Sequence, residues 1–483
     1  MTTKSQGAES LYSFKYRIIK TIVLILAWIT YGLNQEIIGS TMEDLKIYLN
    51  VDYHTINLII GIRQIGALIG TCISGAIVDK FSNYAELILA ISCLFAAFGT
   101  FLMPMTPIPL LSGLIFFLQG VAFSFYDLCG NHIILSLWKG LSNSPINAMH
   151  AGYGIGALIS VQLSKKFIKF NPIEEMKMKY DLNSTDFNTT QINPNDIELI
   201  IPYFIAGAVG IVLCLIFIIA QKVERTNSKK YQVNTNIELL NKSKKDVDFN
   251  QSSKILKLFF GDKVYKGYDL IYMLVQIGMM TLTLFCVLGF YAVISKFMLT
   301  YLTKGPGKFS IEEYSDIQTL FWLLYIAGRF IAAFVAFKMN AILFVTILYA
   351  SNLVITSLFL VPYLCQFKMF YWVAISFLGL VNGPLHPSSI MVAKSFIGDF
   401  NSFVISIFAL GAALSGFVFQ NVAGQLLDAI KPRDYFFGFE NFNSAYLIMH
   451  LSFLPCFLGL ICLLIIYVYY KLYFHKTKKE LEN

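Results

Sequence analysis

The sequence predicts an all-α polytopic membrane protein with twelve transmembrane helices arranged as two pseudo-symmetric six-helix bundles. Three observations predict it. Of 483 residues, 56% are hydrophobic and only 14% charged, with a mean hydropathy of +0.63. An ordinary soluble domain carries about 25% charged residues, and a soluble chain this apolar would expose too much greasy surface to stay dispersed. Second, the chain breaks into twelve apolar runs of membrane-crossing length. Third, the two sets of six echo each other. A cytosolic enzyme, a secreted disulfide scaffold and a disordered regulator are excluded.

A span needs about 20 predominantly apolar residues. The first six runs are 18–38, 55–78, 84–104, 110–137, 145–168 and 199–221, and the second six are 269–298, 314–337, 340–362, 370–393, 402–427 and 444–472. The expected organisation is an N-terminal segment (1–17), a first bundle (18–221), a linker (222–268), a second bundle (269–472) and a tail (473–483). The first 17 residues lack a short apolar core with a small-residue cleavage site, so the first span is expected to be retained.

Charge orients the spans. With both termini cytoplasmic, eleven Lys and Arg between Lys222 and Lys266 face inward. With the termini and short inner loops, the inner positive charges outnumber the outer ones by about two to one, as cytoplasmic loops require. This explains the net charge of +8 without invoking nucleic acid. Asn183-Ser-Thr and Asn188-Thr-Thr are glycosylation acceptor patterns in a loop that this topology places outside. Seven of the eight cysteines lie inside apolar runs and Cys365 lies near a loop, so they read as small apolar residues. No CxxC pair or His/Cys cluster suggests a metal, and no cofactor is expected beyond a sodium ion or proton for coupling.

The echo between the halves is specific. Gly120 precedes Asp127 by seven residues, and Gly379 precedes His386 by seven, each in the fourth span of its half. Gly61-Ile-Arg63 and Gly328-Arg329 sit in the two second spans. Glycine-rich stretches at 152–157 and 411–416 follow in the fifth spans. Duplicated halves around a central site are a transporter plan; the glycines also suit close helix packing alone.

Charges at bilayer depth cost at least about 2.5–3.5 kcal/mol, so they usually face a bundle interior or a water-filled path. Asp127 lies well inside span four, with Asn131 one helical turn on. This pair either contacts a solute and a coupling cation or proton, or forms a structural ion pair with an arginine of span two. Glu36 ends span one beside Asn34 and Gln35, three polar side chains that suit a polyhydroxylated solute or simply the headgroup zone. Arg63 and Arg329, permanently charged, are expected to pair with Asp127 or Glu36 or to donate to carbonyls, in a structural or gating role. Lys296, near the end of span seven, is expected to snorkel to water. His386 and Asn382 lie in Asn382-Gly-Pro-Leu-His386-Pro387, where prolines interrupt a helix that lines a cavity. His386 is a candidate proton site or a satisfied hydrogen-bonder. Gln64 and Trp322 complete the expected solute-binding set.

Gly75-Ala-Ile-Val-Asp79-Lys80, after span two, resembles the loop motif of the major facilitator superfamily, although Phe81-Ser82-Asn83 lacks the later Gly and Arg. Asp127-Leu-Cys-Gly-Asn131, then Trp138, Pro145, His150 and Gly154-Ile-Gly156-Ala157, resemble the sodium-dependent glucose transporter 1 branch, also called major facilitator superfamily domain-containing protein 4. That branch is related to the fucose permeases, whose pattern Gly328-Arg329-Phe330 also resembles. The resemblance implies facilitated or cation-coupled uptake of a hexose and a gating charge at Asp79.

The sequence is therefore expected to move a hexose such as glucose by alternating access, with sodium or proton coupling at Asp127, Glu36 or His386. A plasma-membrane monomer that binds a monosaccharide and no nucleic acid is expected. Two other readings stay open: a facilitator for another small organic solute, such as an organic anion, and a non-transporting receptor or scaffold of the same fold. No nucleophile–base pair appears at credible spacing, so no enzyme is expected.

Overall fold

The computed structural model describes residues 14–138, 143–168, 198–235, 270–335, 338–398, 402–428 and 446–482. Asn183, Asn188 and most of the linker lie outside the described residues. Twelve long helices run through the described residues: α1 (Phe14–Leu49), α2 (Tyr53–Lys80), α3 (Ala85–Leu102), α4 (Pro109–Trp138), α5 (Asn143–Lys165), α6 (Ile200–Thr235), α7 (Leu270–Lys304), α8 (Ile311–Val335), α9 (Ala341–Leu358), α10 (Lys368–Ile397), α11 (Ser402–Asp428) and α12 (Leu447–Glu482).

Local sequence fixes several helix ends. Asp52 caps α2 by accepting from the Thr55 amide at 2.8 Å. Pro109 opens α4, where a missing amide costs nothing. Ser310 and Glu313 form a reciprocal capping box before α8: the Ser310 amide donates to Glu313 Oε2 at 2.9 Å and the Glu313 amide to Ser310 Oγ at 3.1 Å. Gly398, at φ 85°, stops α10 in a left-handed conformation that side chains avoid.

Ten of these helices are long and apolar enough to cross a membrane. The other two, α5 and α10, carry His150, Asn382 and His386. Several helices outrun the bilayer. The 36 residues of α1 span about 54 Å, against ~30 Å of hydrocarbon. It continues past residue 38 to Leu49, and α7 past residue 298 to Lys304. Helix α6 runs on to Thr235, into the stretch expected as linker. Lys, Arg and Gln are good helix formers, so a membrane helix continues into water with a charged extension. Leu110, Ile271, Phe334 and Met369 are among the most exposed side chains, as a lipid-facing surface requires.

The two halves repeat one packing plan. In the first, α1 packs on α5, α2 on α4 and α3 on α6; in the second, α7 packs on α11, α8 on α10 and α9 on α12. The halves meet through α2 on α11 and α5 on α8, which the pseudo-two-fold axis interconverts, and through α1 on α7. Glycine makes the closest crossings. A side chain at Gly120 would strike the Arg63 carbonyl across α2 and α4, and one at Gly379 the Phe321 carbonyl across α8 and α10. The glycines that echo in sequence therefore occupy matching crossings.

Candidate functional site

Between the halves, near the middle of the bundle, lies a cavity of about 210 Å³. Four helices of each half line it: α1, α2, α4 and α5 from the first, and α7, α8, α10 and α11 from the second. Asp127 and His386 sit two helical turns beyond the Gly120 and Gly379 crossings, which bring their helices onto α2 and α8 and carry both side chains to the cavity wall.

The near wall is a hydrogen-bonded chain. Trp28 Nε1 donates to His150 Nδ1 at 3.1 Å, and His150 Nε2 lies 3.1 Å from Asn131 Oδ1. Indole can only donate, so Nδ1 must be the bare nitrogen and Nε2 carries the proton toward Asn131. Asn131 Nδ2 in turn donates to the Asp127 carbonyl at 3.0 Å. While this chain holds, His150 is neutral and its tautomer is fixed. The His386 ring lies 5.7 Å from the His150 ring. Asp127 itself faces the cavity, and among the described residues no cation lies within ion-pair distance of its carboxylate.

Glu36 is held quite differently. It is 1% exposed and saturated with donors. Lys296 Nζ lies 2.9 Å from Glu36 Oε2 and 2.8 Å from the Gln35 carbonyl. Tyr291 donates to Glu36 Oε1 at 3.1 Å, and Tyr153 donates to the same oxygen. The pair joins α1 of one half to α7 of the other. Removing one partner from a buried, hydrogen-bonded ion pair costs about 3–5 kcal/mol. Two turns further toward the far end of α1, Glu43 accepts from Tyr53 at 2.9 and 2.7 Å and from Thr300 at 2.6 Å. Lys46 and Lys304 each lie 3.6 Å from Glu43. A second polar tie thus closes the same end across the halves.

Arg63 and Arg329 line the cavity at 1% and 3% exposure. Among the described residues, Nε, Nη1 and Nη2 of Arg63 have no hydrogen-bond partner, nor do Nε and Nη1 of Arg329. Arg63 is flanked by the Phe116 and Phe123 rings at 5.8 and 5.9 Å. Arg329 Nη2 donates to the Tyr325 hydroxyl at 2.5 Å. The expected pairing of these arginines with Asp127 or Glu36 is therefore corrected, because Lys296 has taken Glu36. The expected snorkelling of Lys296 is also corrected, since α7 continues two turns past it and keeps its ammonium inside.

Of the other expected residues, Gln35, Gln64, Asn131 and Asn382 line the cavity. Asn382 is tied to Asn352 by its Nδ2 at 2.9 Å. Asn34 does not reach the wall and donates to the Thr30 carbonyl at 2.8 Å. Trp322 is fully buried behind the wall, packed on Tyr153, Tyr291 and Tyr325. Asp79 lies at the end of α2, away from the cavity. Sequence reasoning missed the tyrosines of the wall, Tyr31, Tyr153, Tyr291 and Tyr325. Their signal was a hydroxyl-bearing ring in the middle of an apolar run. Among the described residues, no three His, Cys, Asp or Glu side chains gather as a metal site.

Comparison with known proteins places this geometry. A model of the Major Facilitator Superfamily matches residues 24–420. The chain is 23% identical to the human sodium-dependent glucose transporter 1 over 413 residues, covering 84% of this chain and 73% of that protein. It is 21% identical to the zebrafish (Danio rerio) major facilitator superfamily domain-containing protein 4B over 455 residues, 86% of this chain and 82% of that one. Among solved structures, the major facilitator transporter FucP in its outward conformation aligns with a TM-score of 0.60 at 13% identity, covering 95% of this chain and 99% of FucP. A single-residue variant of the E. coli fucose:proton symporter FucP aligns at 0.59 and 14% identity, with the same coverage.

Proposed function

Because the chain belongs to the Major Facilitator Superfamily, we propose that it carries a hexose such as glucose across the plasma membrane, with both termini cytoplasmic, by rocking its two halves about the central cavity. The observation that carries this reading is the cavity itself: a mid-bundle space walled by amides and aromatic rings from both halves. Gln35, Gln64 and Asn131 offer donors and acceptors to hydroxyls, and Tyr31 offers a ring face to the apolar side of a sugar. The sugar-transporting relatives support the solute class.

Asp127 is the coupling site in this reading. Asp127 lines the cavity with no Lys or Arg of the described residues at ion-pair distance, so a proton or sodium ion can enter with the solute. Glu36, whose oxygens Lys296 and two tyrosines occupy, is instead the lock between the halves. In the state described here that lock is made, together with the Glu43 tie beyond it. The solute shifts the equilibrium only through contacts that differ between the two states.

The test is uptake of labelled glucose into proteoliposomes with sodium and pH gradients imposed separately. Saturable uptake that follows one gradient is the expected result. Uptake that follows neither removes the coupling role of Asp127 and leaves a uniporter. Saturable movement of organic anions without any sugar rejects the hexose.

A further inference from the structure

Arg63 and Arg329, one from each half, line one cavity, and five of their buried guanidinium nitrogens meet no hydrogen-bond partner among the described residues. Buried charge normally has a partner, because a lost hydrogen bond to an ionised group is expensive. Among the described residues no carboxylate supplies one, and Arg329 reaches only the Tyr325 hydroxyl. The acid nearest in sequence logic, Glu36, is neutralised by Lys296, and Asp127 stands beyond ion-pair reach of either arginine. Near the cavity, Arg63, Arg329 and Lys296 face Glu36 and Asp127. With Asp127 ionised and the histidines neutral, one positive charge is left over.

We propose that the solute is a hexose bearing one carboxylate, a sugar acid, and that Arg63 and Arg329 hold that carboxylate. The guanidinium fork matches a carboxylate in two parallel bonds, whereas a neutral hydroxyl satisfies it poorly. A single negative charge cancels the excess that stands while Asp127 is ionised, before a coupling proton or cation binds there. Arg63 stands ten residues past the start of α2 and Arg329 eighteen past the start of α8, so the two halves bring their positive charges to one cavity from different depths. The Phe116 and Phe123 rings flank the Arg63 guanidinium. The amides and the ring already assigned to the sugar remain in that role. This inference rests on the hexose-transporter reading and sharpens its solute class.

The test is competition in proteoliposomes containing the full chain, with labelled glucose as tracer and unlabelled glucose, glucuronate or glucose 6-phosphate as competitors. Expected is half-inhibition by glucuronate at a concentration about tenfold below that of glucose. Arg63→Gln and Arg329→Gln should each bring the two close to parity, while Arg63→Lys should keep part of the preference. The wild-type arm decides even where a variant fails to fold. Glucose uptake that glucuronate does not inhibit overturns the carboxylate and leaves the hexose transporter standing. A preference for glucose 6-phosphate overturns the monoanion. A glucuronate preference that survives both glutamine variants overturns the role of the arginines. Movement and binding of neither glucose nor glucuronate overturn both readings.

Discussion

Glu36 and Asp127 are two acids in the same bundle with opposite surroundings. Glu36 is enclosed by a lysine and two tyrosines from both halves. Asp127 sits on one half, at the cavity wall, with no Lys or Arg at ion-pair distance among the described residues. A buried acid with every oxygen occupied is a fastening, since any exchange must first break several bonds. An acid with oxygens facing a hydrated space is an acceptor that a proton or ion can enter and leave. Depth in the membrane alone does not separate the two; the identity of the neighbours does.

Substitutions can break this contrast. The largest effect is expected for Lys296→Met, which leaves the Glu36 carboxylate buried without its cation and costs about 3–5 kcal/mol in unfolding stability in detergent. The pair Glu36→Gln with Lys296→Met should recover most of that loss. If the single change costs no more than an ordinary surface substitution, the lock is absent. A smaller effect is expected outside the membrane at Asp52. Its carboxyl is held below the usual carboxylate range by hydrogen bonds from Thr55. Its contribution is therefore present above that range and is lost as pH falls through it. Asp52→Ala should cost about 0.5–1 kcal/mol at neutral pH and less in acid, as thermal melts across pH will read. The smallest stability effect belongs to Asp127→Asn, expected below about 1 kcal/mol because no ion pair is lost. Its functional effect should be the opposite: gradient-driven accumulation disappears while counterflow of solute persists. A large loss of stability at Asp127→Asn would make the two acids alike.

Much of the fold was legible. Hydropathy located the twelve helices, and the Gly120–Asp127 and Gly379–His386 echo marked two matching crossings. The four-residue spacing of Asp127 and Asn131 put both at the wall. Side-chain pairing was not legible. Lys296 reads as a snorkelling lysine because hydropathy falls near residue 298, yet α7 continues to Lys304 and encloses it. Arg63 and Arg329 read as partners for the acids because pairing across helices depends on rotation and depth, which the sequence does not carry. Tyr153 hides between Gly152 and Gly154, where the glycines dominate the pattern, and only the packing of α5 on α1 brings its hydroxyl to Glu36. Trp322 has the composition of a sugar platform, but the tyrosines stand between it and the cavity.

The most direct measurement is the distance across the end that Glu36–Lys296 and Glu43 close. Spin labels at His54→Cys and Glu312→Cys, on the two halves in a Cys72→Ser background, report it in reconstituted protein. Rocking halves predict two populations, a short distance for the state described here and a longer one, whose ratio changes when saturating solute is added. One short distance, unchanged by every solute that the protein transports, would contradict an exchange between closed and open states at this end.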